Sequence, residues 1–151
     1  DVMLLVAGMP WKGGGGVRET VTELGLSDNV VLKLAFVPPD ELPLYFESSD
    51  VVVLPYRYFD AQTGVGAYAL FFEKPMVVTR VGGLPELVLD NSVIVPPENP
   101  EKLADTLLKV VRDETLRDKL SEDSRSLKEE YDWERITRDT AEIYSWLARE
   151  E

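Results

Sequence analysis

DVVVLPYRYFDAQTGVGAYALFFEKPMVVTRVGGLPE, residues Asp50 to Glu86, reads as two strands joined by a glycine-bearing loop and a helix, then a glycine-rich turn into another helix. Val51 to Leu54 and Met76 to Val78 are short apolar runs rich in β-branched residues, the pattern of strands covered on both faces in a parallel sheet. Loops leave the carboxyl ends of such strands, where open α/β sheets bind ligands and helix N-termini offer backbone N–H groups to an anion. The stretch therefore predicts a nucleotide- or phosphate-facing half-site.

Upstream, Val2 to Ala7 is an apolar run ending at Gly8 and reads as a buried strand. Trp11 and Lys12 read as loop residues. Gly13 to Gly16 read as a surface loop, because each glycine loses much backbone entropy on ordering. A phosphate-cradling loop is the alternative, but the GxGxxG spacing and the Walker lysine with its Ser or Thr are both absent. Val17, Val21 and Leu24 give a helical stripe that Gly25 ends, and Val30 to Phe36 is the next strand. Asp40 is placed to cap a short helix with Leu42, Leu44, Tyr45 and Phe46, tolerating Pro43 near its start.

Downstream, Ser92 to Val95 reads as a last short strand. Pro100 opens a helix whose buried stripe is predicted at Leu103, Leu107, Leu108 and Val111. Leu116, Leu120 and Leu127 mark a second helix, and Asp132 caps a third with Trp133, Ile136, Ile143, Tyr144 and Leu147. Alternation of strands and helices predicts an α/β fold, a Rossmann-like parallel sheet flanked by helices with a helical C-terminal tail.

The chain has 151 residues, enough for one domain with a real core, and no linker long enough to divide it. Its formal charge of −12, from 28 acidic and 16 basic residues, argues against nucleic acid or an anionic membrane surface as a partner. Cysteine and histidine are absent, which removes disulfides, thiolate nucleophiles, imidazole ligands and the commonest general base. Any chemistry must use carboxylates, hydroxyls, Lys or Arg, and backbone dipoles. No apolar run reaches the roughly twenty residues of a membrane span, and the cytoplasm is the expected compartment.

Several pieces now fall into a recognisable order: Val2 to Gly8, Glu23 to Val30, Phe36 to Pro43, Ser48 to Pro55, Lys74-Pro75, Thr79 to Glu86, and Val95-Pro96-Pro97. In that order and spacing the chain resembles the donor-nucleotide, C-terminal half of a two-domain retaining glycosyltransferase of the GT-B fold. The family meant is the large one of mannosyl- and glucosyltransferases, glycosyl transferases group 1. The resemblance covers essentially the whole chain.

The resemblance implies a site. The family carries a Glu, seven intervening residues and a second Glu ahead of the helix that leads to Lys-Pro, and those positions here are Asp60 and Tyr68. Asp60 is expected to contact the donor sugar as a shorter carboxylate. Tyr68 stands where the family's ribose-binding carboxylate would be and cannot accept paired bonds from two ribose hydroxyls. Gln62, Thr63, Gly64 and Val65 are similar to a Gln-Ser-Gly-Val variant whose hydroxyl and backbone N–H groups face the donor. Apart from the resemblance, Thr63 is a good helix cap, and Gly64 and Gly66 allow close backbone approach. Gly82 and Gly83 form the second glycine turn and complete the expected donor contacts, while Tyr56, Tyr58 and Phe59 are placed to stack on a base, on another domain or over the sheet edge.

The resemblance also implies what lies elsewhere. In the family an Arg and a Lys that bind the donor diphosphate, and an N-terminal acceptor domain, precede the segment matched here. The chain is thus expected to be a single donor domain, residues 1–151, without the family's first strand. Its sheet would be incomplete beside Val2 to Ala7, or completed by a second copy as a homodimer. The expected substrate is a nucleotide-diphosphate sugar, with no metal or other cofactor, and the fragment alone is expected to be inactive. The alternative is a degenerate donor domain that holds a nucleotide or serves as a structural partner. A sugar-nucleotide epimerase is disfavoured, because that chemistry leans on carboxylates and histidines.

Overall fold

The structure, a computed structural model, describes residues 2–10, 16–58 and 63–149. Two compact units divide the chain, Asp1–Tyr45 and Phe46–Glu151. The expected glycine loop at Gly13 to Gly15, with Trp11 and Lys12, lies outside the described residues, as do Phe59, Asp60 and Gln62.

In the first unit, β1 (Leu4–Ala7) pairs in parallel with β2 (Val30–Lys33), Leu4 opposite Val30 and Ala7 opposite Lys33. Helix α1 (Val17–Glu23) connects them and ends as the sequence predicts: Leu24 is the C-cap, and Gly25 follows with φ +66, a conformation that favours glycine. Both strands are shorter than their apolar runs, because pairing stops where the partner strand stops. The expectation of a buried first strand is corrected: Leu4 is half exposed and no α1 side chain is buried, so the apolar pattern here lacks a full set of packing partners among the described residues.

Helix α2 (Leu42–Glu47) begins two residues after Asp40 and places Pro43 in its first turn, where a missing N–H costs nothing. Phe46, its buried residue, belongs to the second unit and stacks on Phe72 at 5.3 Å. There, β3 (Val52–Leu54), β4 (Met76–Thr79) and β5 (Ile94–Val95) form a parallel sheet in that order. Val78 lies opposite both Leu54 and Ile94, so the three carboxyl ends open on one edge. Every residue of β4 is buried, as a central strand with a continuous apolar run should be. The predicted strand at Ser92 is corrected: Asn91–Val93 form a 3₁₀ turn, because the Asp90 carboxylate accepts from Ser92 N and curls the chain before β5.

The crossover from β3 to β4 runs through α3 (Gly64–Phe71). Beyond β5, α4 (Pro100–Arg112) is capped by Asn99, α5 (Glu114–Glu130) by Asp113 and α6 (Trp133–Leu147) by Asp132. The core of this unit joins Val77, Val93, Val95, Val110 and Leu120, with Leu103, Leu107 and Leu116 packed against it. The α4 stripe is therefore Leu103, Thr106, Leu107 and Val110, while Leu108, predicted inside, is 44% exposed. Helix α5 also staples the entry to β4, its Ser121 and Ser124 hydroxyls donating to the carbonyls of Glu73 and Lys74. Glu73, held at φ +54, receives Lys128 and Arg125 on its carboxylate, and these donors lower its pKa.

Candidate functional site

The site is built at the carboxyl edge of β3, β4 and β5. After β3 the chain continues through Pro55, Tyr56, Arg57 and Tyr58, after β4 through Arg80 to Gly83, and after β5 through Pro96, Pro97 and Glu98. Thr79, the last residue of β4, is buried and its hydroxyl donates to Leu54 O at 3.2 Å and Tyr56 O at 2.7 Å. That contact fixes the path of the β3 exit.

Thr63 caps α3 as the sequence predicts. Its backbone is extended, its Oγ1 accepts from Val65 N at 3.2 Å, and its carbonyl accepts from Ala67 N. The hydroxyl also lies 3.3 Å from the Tyr56 hydroxyl, so the β3 exit and the start of α3 are hydrogen-bonded to each other. The sequence places Tyr56 to stack on a base, on another domain or over the sheet edge; nothing local to Tyr56 announces a hydrogen-bond partner seven residues on.

The two glycines of α3 differ. Among the described residues, a Cβ at Gly64 would meet no atom within 4 Å, while one at Gly66 would collide with Leu87 Cδ1 and Thr63 Cγ2. Gly64 is thus open to an approaching group, and Gly66 serves packing, contrary to its expected role in ligand approach. Val65, the next residue predicted to face the donor, is 44% exposed. Tyr68 lies one turn further along α3 and stacks on Phe46 with centroids 5.9 Å apart, its side chain 43% exposed. Asp60 and Gln62 lie outside the described residues.

Gly82 and Gly83 form the turn that leaves β4. Gly82 takes φ +49, which suits glycine, and Leu84–Leu87 follow as a 3₁₀ turn with Pro85 near its start. Arg80 N donates to Val95 O at 2.8 Å, which holds this exit against β5, and the Arg80 side chain is exposed. Arg57 reaches Glu98 at 3.6 Å. Among the described residues no group of three or more acidic side chains converges as a metal site would require. Open grooves lie elsewhere, one of about 180 Å³ around Arg18, Thr22 and Ser27 and one of about 430 Å³ along α6 around Trp146, and neither includes a predicted site residue.

This edge offers polar hydrogens: backbone N–H groups at the start of α3, a cap hydroxyl, and the cations Arg57 and Arg80. Such an arrangement suits an acceptor-rich anion.

Comparison with known proteins places the fold. Residues 1–127 match the profile of the family described as Glycosyl transferases group 1. An uncharacterized glycosyltransferase of Methanocaldococcus jannaschii is 32% identical over 139 residues, which cover 87% of this chain and 35% of that protein. Among solved structures, HepE of Anabaena in complex with UDP aligns with a TM-score of 0.84 at 21% identity, covering 95% of this chain and 41% of that one. The C-terminal domain of a glycosyl transferase group 1 family protein from Francisella tularensis aligns with a TM-score of 0.64 at 20% identity, over 80% of this chain and 62% of that one. The structural likenesses are of fold, an α/β domain as found in GT-B glycosyltransferases. The chain spans about a third of the length of the curated relatives it matches. With a profile match over most of its length, this chain belongs to the glycosyl transferases group 1 family.

Proposed function

We propose that the chain is the donor-nucleotide domain of a retaining glycosyltransferase, acting on a nucleotide-diphosphate sugar whose acceptor is bound by a separate domain. The observation that carries this reading is the Thr63-capped start of α3 at the carboxyl edge of the sheet, with Gly64 open beside it. Support also comes from the family and from a fold neighbour solved with UDP.

In this reading the N–H groups of Thr63 and Gly64 stabilise negative charge developing on the departing diphosphate, while Val65 N–H, bonded to Thr63 Oγ1, holds the start of α3 in place for it. Gly82 and Gly83 shape the opposite wall, and Asp60 orients the sugar, with Gln62 as a further donor contact. No metal is assigned a role. The acceptor domain and the diphosphate-binding cations of the family belong to other parts of a longer protein, so residues 1–151 alone carry out no transfer. A strand beside β1, from that protein or from a second copy, completes the sheet, and the cytoplasm supplies the donor.

A second reading has one observation in its favour. Tyr68 occupies the family's ribose-binding position and its ring packs on Phe46, which suits a degenerate domain that binds nucleotide weakly or only packs.

Calorimetric titration with UDP-, GDP- and ADP-sugars, paired with a transfer assay, separates the two. Binding of one donor class by the full-length protein, with transfer by that protein and none by residues 1–151, is the expected result. Absence of binding in the full-length protein favours the degenerate reading, and transfer by residues 1–151 alone overturns the division of labour.

A further inference from the structure

The segments that leave β3, β4 and β5 carry three charged side chains among the described residues Pro55 to Tyr58, Arg80 to Gly83 and Pro96 to Glu98: Arg57, Arg80 and Glu98. β4 is the central strand, so Arg57 and Glu98 stand on the two outer exits, and their 3.6 Å ion pair reaches across the mouth of the edge. Glu98 follows two prolines and takes φ +56, a turn conformation that few non-glycine residues adopt. Both side chains are largely in water, 82% and 68% exposed, and a pair so placed adds almost nothing to stability.

An exposed guanidinium beside a site for an acceptor-rich anion has a better partner available than a single long contact to a carboxylate. Diphosphate oxygens match its planar fork and carry more charge. On a chain of charge −12, cations at this edge are also what offsets repulsion of an incoming dianion.

We infer that Arg57 and Glu98 form a counter-ion latch on the donor site. Glu98 neutralises Arg57 while the site is empty, and the diphosphate of the donor displaces Glu98 and takes the guanidinium. Arg57 is then a diphosphate contact supplied by this chain itself, and Glu98 is a competitor that sets its availability. The inference rests on the donor-binding reading above.

The two roles give opposite signs. The full-length protein is titrated with UDP, GDP and ADP as wild type, Arg57→Gln, Glu98→Gln and the double variant. Arg57→Gln is expected to weaken nucleotide binding about tenfold through loss of a charge-assisted contact. Glu98→Gln is expected to tighten it about threefold by removing the competitor. The double variant should match Arg57→Gln, since Glu98 acts only through Arg57. At such exposed positions thermal midpoints should stay within about 2 °C of wild type, so folding does not confuse the comparison. In a wild type that binds nucleotide, an unchanged affinity in Arg57→Gln, or unchanged or weaker binding in Glu98→Gln, overturns the latch alone. A wild type that binds none of the three overturns the donor-binding reading and the latch with it.

Discussion

Among the described residues, a methyl group at Gly64 has room, and a methyl group at Gly66 has none. Two residues apart on one helix, these glycines meet different demands, and substitution separates them. Gly64→Ala should leave stability equal to wild type or raise it by up to about 1 kcal/mol, because alanine is the better helix former. The same methyl stands where a diphosphate would meet the helix backbone, so nucleotide affinity should fall several-fold. Gly66→Ala should instead lower stability by about 1–3 kcal/mol, because Leu87 and Thr63 are buried beside it and cannot yield freely. Urea denaturation read with nucleotide titration checks both, and a Gly64→Ala variant that binds as wild type would remove close backbone approach from the mechanism. Only half of this was legible in the sequence. That Thr63 caps the helix follows from neighbours two and four residues away, but which glycine lacks room depends on Leu87, which is distant from Gly66 in sequence and meets α3 only in the fold.

Among the elements, the turn before β5 is pinned to α5 by a carboxylate. Asp90 accepts from Lys119 Nζ and from the backbone of Ser92, and these contacts hold its pKa down to about 2 from the usual 3.8. A carboxyl with a folded pKa below its unfolded value contributes stability that is fully present above pH 3.8 and is lost as pH falls toward 2. Lys119 is half exposed, so the contribution is discounted to about 1 kcal/mol. Asp90→Asn keeps an oxygen for the cap but loses the charge. It should therefore cost about 1 kcal/mol at neutral pH and flatten the fall in stability between about pH 4 and pH 2, measured by denaturation at stepped pH. An unchanged acid slope would assign that fall to other carboxylates. Element types were readable from period and caps, as Pro100 and Asp132 show, whereas faces were less so. The run Leu107-Leu108-Lys109-Val110-Val111 admits two stripes one residue apart, and only packing on Val77, Val93 and Val95 selects Leu107 and Val110. Likewise the apolar Val2 to Ala7 predicts a strand but does not say what covers it.

At the scale of the molecule, α6 poses that question most sharply. Trp133, Ile136, Ile143, Tyr144 and Leu147 recur at helical spacing on one face, and no described side chain of α6 is buried. Trp133 is 79% exposed and Tyr144 69%. A contiguous apolar face of this kind in water promotes association, so the 151-residue chain should self-associate with rising concentration and bind a hydrophobic dye. The open edge of β1 is a second surface on which copies could pair, since β1 hydrogen-bonds to β2 alone among the described strands. Replacing Ile143 and Tyr144 together by Gln distinguishes them. If the α6 face drives association, the double variant becomes monomeric by light scattering and loses dye binding. Its stability should change by less than about 0.5 kcal/mol, because neither residue contributes to a core. Association that persists in the double variant would move the contact to the β1 edge, and a loss of stability comparable to a core truncation, about 2 kcal/mol or more, would mean that α6 packs on the domain in solution.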